Sequence, residues 1–215
     1  MPMVKENLKI DNLLFSFYEH PIFLKNFSLF FTLFSILAFI HATNMFDGIN
    51  SQLIIFYLIL NTFLIFISDY NFIFLFFYPV LISLLILNFN GKIFLGDGGS
   101  YSLGAMYSFF IIYQYTTFKK IFFVEEILIL TLIPGLELLR LSFYRISKGR
   151  KIFSGDLEHI HHLLTKRFSQ IQTNLIVSIL IIIPIFFLLF AQINLHLIVF
   201  ISILSYFLII YLLKK

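Results

Sequence analysis

The sequence predicts an all-α bundle of membrane-spanning helices, and three observations predict it. The 215 residues are 60% apolar and only 12% charged, about half the charged share of a soluble domain. The apolar residues fall into runs of about 20, the length a helix needs to cross the hydrocarbon of a bilayer. The polar residues, costly in that setting, collect in three islands: His41–Gln52, Asn88–Ser102 and a segment centred on Ser154–Leu164.

Met1–His20 carries Lys5, Glu6, Lys9, Asp11 and Glu19. It is too polar to span and reads as an interfacial or loose segment, which divides the chain into residues 1–22 and a transmembrane domain of residues 23–215. About seven spans follow: Phe23–Thr43, Leu53–Ser68, Phe72–Phe89, Tyr101–Thr117, Phe122–Ile146, Leu175–Gln192 and Leu195–Leu213. The islands come after the first, third and fifth spans, so alternation puts all three on one face. That face also holds Lys92, Arg145, Lys148, Arg150, Lys151, Lys166, Arg167, Lys214 and Lys215, against Lys119, Lys120, Lys5, Lys9 and Lys25 on the other. Basic loops stay inside, so the islands and the C-terminus are expected in the cytoplasm and the N-terminus outside. The chain has no cysteine, which excludes disulfides and thiolate metal sites. Its small net charge of +4 speaks to topology and not to nucleic acid.

Pro134-Gly135 falls within the fifth span and is expected to break or kink it. Glu137 and Arg140 follow at i,i+3 and can face each other. Two readings stay open: a buried ion pair stapling the helix, or a groove in which Arg140 meets an anionic group.

In the first island, Asp47-Gly48 marks a turn, and Asn50 or Ser51 can cap the next helix. In the second, Gly96, Gly98 and Gly99 allow close backbone approach, Asp97 lies just ahead of a helix start, and Ser100 can cap it. Helix starts suit phosphate oxygens, and paired carboxylates suit a hard divalent cation bridging to phosphate. Either island alone is also an ordinary capping turn. In the third, His159 and His162 share a helical face while His161 points elsewhere. Such a cluster suits zinc, phosphate oxygens or plain solvation; the nearby Arg145, Lys148, Arg150 and Lys151 favour an anion.

Three segments together resemble the polyprenyl-phosphate N-acetylhexosamine-1-phosphate transferases of glycosyltransferase family 4: Asn44-Met45-Phe46-Asp47-Gly48, Phe94-Leu95-Gly96-Asp97-Gly98-Gly99-Ser100, and Asp156 through Leu164 with its His-Ile-His-His core. The likeness runs from about residue 25 to the C-terminus. Its His-Ile-His-His-Leu-Leu segment is nearer the branch making polyprenyl-linked N-acetylhexosamine for surface polysaccharides than the muramyl-pentapeptide branch. The resemblance implies a multi-pass bacterial inner-membrane enzyme that moves N-acetylhexosamine-1-phosphate from a UDP-sugar to undecaprenyl phosphate and releases UMP. It implies Mg²⁺, with Mn²⁺ as an alternative, held by Asp97 and Asp47. It gives catalytic roles to Asp47, Asp97, His159, His161 and His162, and substrate contacts to Asn44, Gly98, Ser100, Arg140, Arg145 and Asp156. Homodimers are common in such families.

The chain departs from the family in three places. It has no Asp-Asp pair, which the family carries in an earlier loop. Asn50-Ser51 stands where Asp-Gly is usual, and Glu137 where Asp is usual. The first departure suggests the C-terminal two-thirds of an enzyme, and with it an alternative: a split or inactive relative acting as a non-catalytic membrane subunit.

Overall fold

A computed structural model describes residues 8–69, 71–151, 158–191 and 193–215. The bundle is all-α apart from one small hairpin. In chain order the elements are β1 (Asn12–Phe15), β2 (Tyr18–Phe23), α1 (Ser28–Phe46), α2 (Gln52–Ile67), α3 (Asn71–Phe89), α4 (Gly96–Tyr113), α5 (Val124–Ser147), a short α6 (Ile160–Thr165), α7 (Gln170–Phe190) and α8 (Leu195–Lys214).

Each expected span has a helix, but the helices are not equal. Five stretches are long and apolar enough to cross a bilayer: Lys25–Phe46, Phe72–Phe89, Val124–Ser147, Gln170–Phe190 and Leu195–Lys214. The chain is a membrane protein on that footing, though the expected count of about seven is not reached among the described residues. At 16 residues α2 is shorter than the others, about 24 Å at 1.5 Å per residue. More than half of it is buried by neighbouring helices, including Leu53, Ile54, Phe56, Tyr57, Leu60 and Leu64. The polar start of α4, Gly-Asp-Gly-Gly-Ser, lowers its apolar content.

Helix α2 forms the core. Its Asn61 sits within the apolar interior fully bonded, donating to the Phe74 carbonyl at 2.9 Å and accepting from the Tyr107 hydroxyl at 3.0 Å. Helices α1 and α4 pack closely because residue 104 is glycine. A Cβ there would lie 2.9 Å from Thr43 Oγ1 and 3.1 Å from Ile40 Cα. The exposed sides of the long helices are rich in large apolar residues, as at Phe30, Phe34, Phe76 and Phe200.

Two local expectations change. Helix α5 runs unbroken through Pro134; the flanking Leu130, Leu132, Ile133 and Glu137 are all buried against other helices, and that packing keeps the backbone helical where proline removes a donor. Residues 12–23, expected to be loose or interfacial, form an antiparallel hairpin with Leu13 opposite Ile22 and Phe15 opposite Tyr18. The Tyr115 hydroxyl accepts from Leu14 N–H and donates to Asn12 C=O, both at 3.0 Å. Glu125 Oε1 accepts from Ser16 N–H and Oγ at 2.9 and 2.8 Å. These partners come from helices a hundred residues away, so no local pattern announces them.

Candidate functional site

The three polar islands meet at the end of the bundle opposite the hairpin. Helix α1 ends at Phe46, with Asp47 just beyond it. Asn44, one turn earlier, donates from Nδ2 to Asp97 Oδ1 at 3.0 Å and to Ser100 Oγ at 2.8 Å. One amide therefore joins the first island to the second. The link is repeated nearby, where Ser51 N–H donates to Asn88 Oδ1 at 2.5 Å.

The third island reaches the first through a missing side chain. His161 is 1% exposed, and its ring lies over Gly48. A Cβ on residue 48 would sit 1.7 Å from His161 Nε2 and 2.0 Å from Cε1. Only glycine leaves room for the imidazole. Behind this contact α7 ties in, with Gln170 Nε2 and Asn174 Nδ2 both donating to Asn50 C=O, at 3.2 and 3.0 Å.

The histidines do not follow the expected register. His159 lies before the helix, as the N-cap of α6, with extended backbone (φ −60°, ψ 147°). Helical i,i+3 spacing therefore does not begin until Ile160. His161 is not set apart but stands in the middle of the group: ring centroids are 5.0 Å from His159 to His161, 4.4 Å from His161 to His162 and 6.0 Å from His159 to His162.

Electrostatics mark the same place. Burial, with the Asp97 charge added, pushes the Asp47 carboxyl up from its usual value to about 6. His161 goes the other way. Burial first, then His159, His162 and Arg140, lower it to about 2, so its imidazole is neutral. Neither of its ring nitrogens has a hydrogen-bond partner among the described residues. Two carboxylates sharing one electrostatic environment, with a neutral imidazole beside them, are a donor set that fits a hard cation plus the oxygens of a phosphorylated ligand. No group of three or more histidine or acidic side chains among the described residues is arranged to hold a metal, so neither the histidines nor the two aspartates form a ready-made cage, and a cation at Asp47 and Asp97 would take its other oxygens from the phosphorylated ligand.

The remaining residues divide. Asp97 and Gly98 are exposed in the first turn of α4, and nothing lies within 4 Å of a Cβ built on Gly98. Ser100 is buried within the helix and does not cap it; the N-cap is Leu95, without a side-chain bond. Ser51 is the N-cap of α2 in a left-handed conformation (φ 75°), also without a side-chain cap. Arg140 is held by Glu137 Oε1 and Oε2 at 2.9 and 3.0 Å, by the Tyr206 hydroxyl at 2.8 Å and by Glu158 C=O at 2.6 Å. Arg145 is buried in the last turn of α5. Asp156 lies outside the described residues. Sequence reasoning passed over Gly48 as a seat for His161, and Asn88 and Asn174 as ties between loops. The first had a visible marker, a glycine directly after the motif aspartate; the other two had none.

The sequence profile of glycosyl transferase family 4 matches residues 3–115, more than half the chain and a range that holds Asn44, Asp47, Asp97 and Ser100. The chain belongs to glycosyl transferase family 4. The histidine segment lies beyond the range of the family profile. Among curated relatives, the chain is 30% identical to the undecaprenyl-phosphate alpha-N-acetylglucosaminyl 1-phosphate transferase of Escherichia coli O157:H7, over 76% of this chain and 48% of that protein. It is 29% identical, over the same shares, to the proteins of that name from Escherichia coli strain K12 and Shigella flexneri. The chain thus spans about half the length of the curated family 4 relatives it matches. No solved structure matches.

Proposed function

We propose that this family 4 chain carries the nucleotide-side and phosphate-side residues of a UDP-N-acetylhexosamine:undecaprenyl-phosphate sugar-1-phosphate transferase. A phosphate oxygen of the lipid bonds to the phosphorus bearing the sugar, the bridging bond to the nucleotide phosphate breaks, and UMP leaves. The observation that carries the reading is the Asn44 amide joined to both Asp97 and Ser100, with His161 seated on the next island at Gly48. Those contacts join the three segments that resemble the family, as one shared site requires.

Asp47 and Asp97 are the residues that would hold Mg²⁺, or Mn²⁺, and the raised pKa of Asp47 comes from burial first and the Asp97 charge second, both of which a bound cation would offset. When bound, the cation would offset the charge gathering on the departing nucleotide phosphate. Asn44 would keep Asp97 aimed into the site. His161, neutral and with open nitrogens, would contact phosphate oxygens as a hydrogen-bond donor from either tautomer, alongside His159 and His162. Gly98 would let a ligand approach the α4 backbone, and Arg145, Arg140 and Asp156 complete the proposed substrate contacts. The basic residues at this end of the bundle support a cytoplasmic site in the bacterial inner membrane, where both UDP-sugar and the lipid are at hand. Homodimerisation is part of the same proposal.

The test is UMP release from UDP-N-acetylglucosamine with undecaprenyl phosphate and Mg²⁺, by the full chain in nanodiscs. Asp97→Asn is expected to lower the rate at least 100-fold, the scale on which positioned electrostatic groups act. Equal rates for the parent and Asp97→Asn would remove Asp97 from the mechanism. No release by the parent would favour the reading as a non-catalytic membrane subunit, which the lack of an Asp-Asp pair makes the second candidate.

A further inference from the structure

We infer that Glu137, pinned by Tyr206, is a positioning residue for the histidine cluster, so that the last helix of the chain sets the geometry of the candidate site from behind. The inference rests on the reading of the histidines as ligand-contacting groups and adds a residue whose role is to aim them.

A carboxylate with no exposed surface inside an apolar bundle is costly unless its charge and lone pairs are all used. Glu137 is 0% exposed, and its oxygens face three elements. Within α5, both accept from Arg140 Nη2. From α8, the Tyr206 hydroxyl donates to Oε1. From α6, the Ile160 N–H donates to Oε1 at 3.3 Å. Oε2 lies 3.6 Å from His159 Nδ1.

An ion pair that only staples α5 would need Arg140 and nothing more. The contact to Ile160 shows the additional task. Helix α6 begins at Ile160, and its N-cap His159 provides no side-chain cap. The first amides of a helix need an acceptor from elsewhere, and here it comes from a residue 23 positions earlier. Arg140 grips the other side of the same turn through Glu158 C=O at 2.6 Å. The two halves of the ion pair thus hold residues 158 and 160, with His159 between them. His161 stacks on His159 at 5.0 Å, so the placement is passed on to the imidazole that lies over Gly48.

Tyr206 makes the arrangement rigid. Its hydroxyl accepts from Arg140 Nε at 2.8 Å and donates to Glu137, and the side chain is 0% exposed. A second tie between α8 and the same turn is the Lys214–Glu158 ion pair at 3.0 Å. Helix α8 contributes none of the proposed contact residues, yet it holds the turn from which the histidines project.

The experiment uses the full chain in nanodiscs with ¹⁵N-labelled histidine. Tyr206→Phe deletes one hydroxyl and keeps the ring. It is expected to shift the side-chain resonances of His159 and His161 and leave those of His20, His41 and His196 in place. It is also expected to lower kcat for UMP release about 10-fold, as loosening of a positioned group does, with KM for UDP-N-acetylglucosamine changed less than twofold. Glu137→Asp, which keeps the charge but shortens the reach to Ile160, should move the same resonances. The control is Glu126→Gln, at the far end of α5, where the carboxylate accepts from Phe122 and Phe123 N–H; it should move neither resonances nor kcat. Unshifted His159 and His161 resonances in Tyr206→Phe would overturn the inference. A parent that releases no UMP would defeat the transferase reading alone, because the resonances would still report whether Tyr206 and Glu137 set the histidines. Should Glu137→Asp fail to fold, Tyr206→Phe still decides.

Discussion

At Gly48, two segments more than a hundred residues apart touch through the absence of one methyl group. Gly48→Ala would place a carbon 1.7 Å from His161 Nε2, so the ring must leave. The expected outcome is at least a 10-fold loss of UMP release together with a shifted His161 resonance. Asn44→Ala removes both bonds that join α1 to the start of α4 and should lower activity with it. It should also lower stability by about 1–2 kcal/mol, the net worth of two part-exposed hydrogen bonds, read as a drop in melting temperature. His161 also makes a statement about pH. Its folded pKa of about 2 lies below the ordinary 6.5, so between those values the unfolded chain binds the proton that the folded chain refuses. Stability from this group is complete above 6.5 and falls as the medium becomes more acid, by up to about 1.4 kcal/mol per pH unit. Melting in detergent from pH 7.5 to 5.0 should fall more steeply for the parent than for His161→Asn. At this scale the motif residues were legible, because carboxylates, glycines and histidines are rare in so apolar a chain. The histidine register was not. A helix that starts one residue after His159 cannot be placed from spacing alone, since its first amide is capped from α5 and not by a neighbour in sequence.

Among the elements, the seven long helices of the described residues were legible from hydropathy, and the site gathers where α1 ends and where α2 and α4 begin. Helix α2 starts at Ser51, and α4 starts with the Asp97 turn. Helix α2 is buried by its neighbours over more than half its length, so it need not be as long as a helix that faces lipid. The continuity of α5 across Pro134 was not legible. Sequence shows the lost donor but not the packing that keeps the helix continuous. The hairpin was equally hidden, because Tyr115 and Glu125 secure it from afar. Glu125→Ala removes the acceptor shared by Ser16 N–H and Oγ. It should cost about 1–3 kcal/mol in a melting experiment, yet leave UMP release within twofold, since the hairpin lies at the other end of the bundle from Asp97.

For the whole molecule, the excess of basic residues at the site end over the hairpin end is the feature that sequence and structure share. Lys166 and Arg167 lie at the site end, beside α6 and α7, while Lys119 and Lys120 follow α4 at the hairpin end. The chain has no native cysteine, so single cysteines report cleanly. Lys119→Cys should react with a membrane-impermeant maleimide in intact cells, and Lys166→Cys only after permeabilisation. The opposite pattern would place the site outside the cell. Convergence of the three islands was legible from their alternation with the spans; the contacts that achieve it, Asn44 to Asp97 and Gly48 to His161, needed the fold.

The hairpin has one more consequence, for the order in which this protein is built. Ser16 leaves the ribosome 109 residues before Glu125, the acceptor it needs. At elongation speeds of about 5–20 residues per second that is a wait of roughly 5–20 s. During that interval the hairpin lacks its Glu125 acceptor while α1 through α4 are made. The bonds from Ser16 to Glu125 can form only when translation has delivered the start of α5, so the hairpin is docked later than it is made.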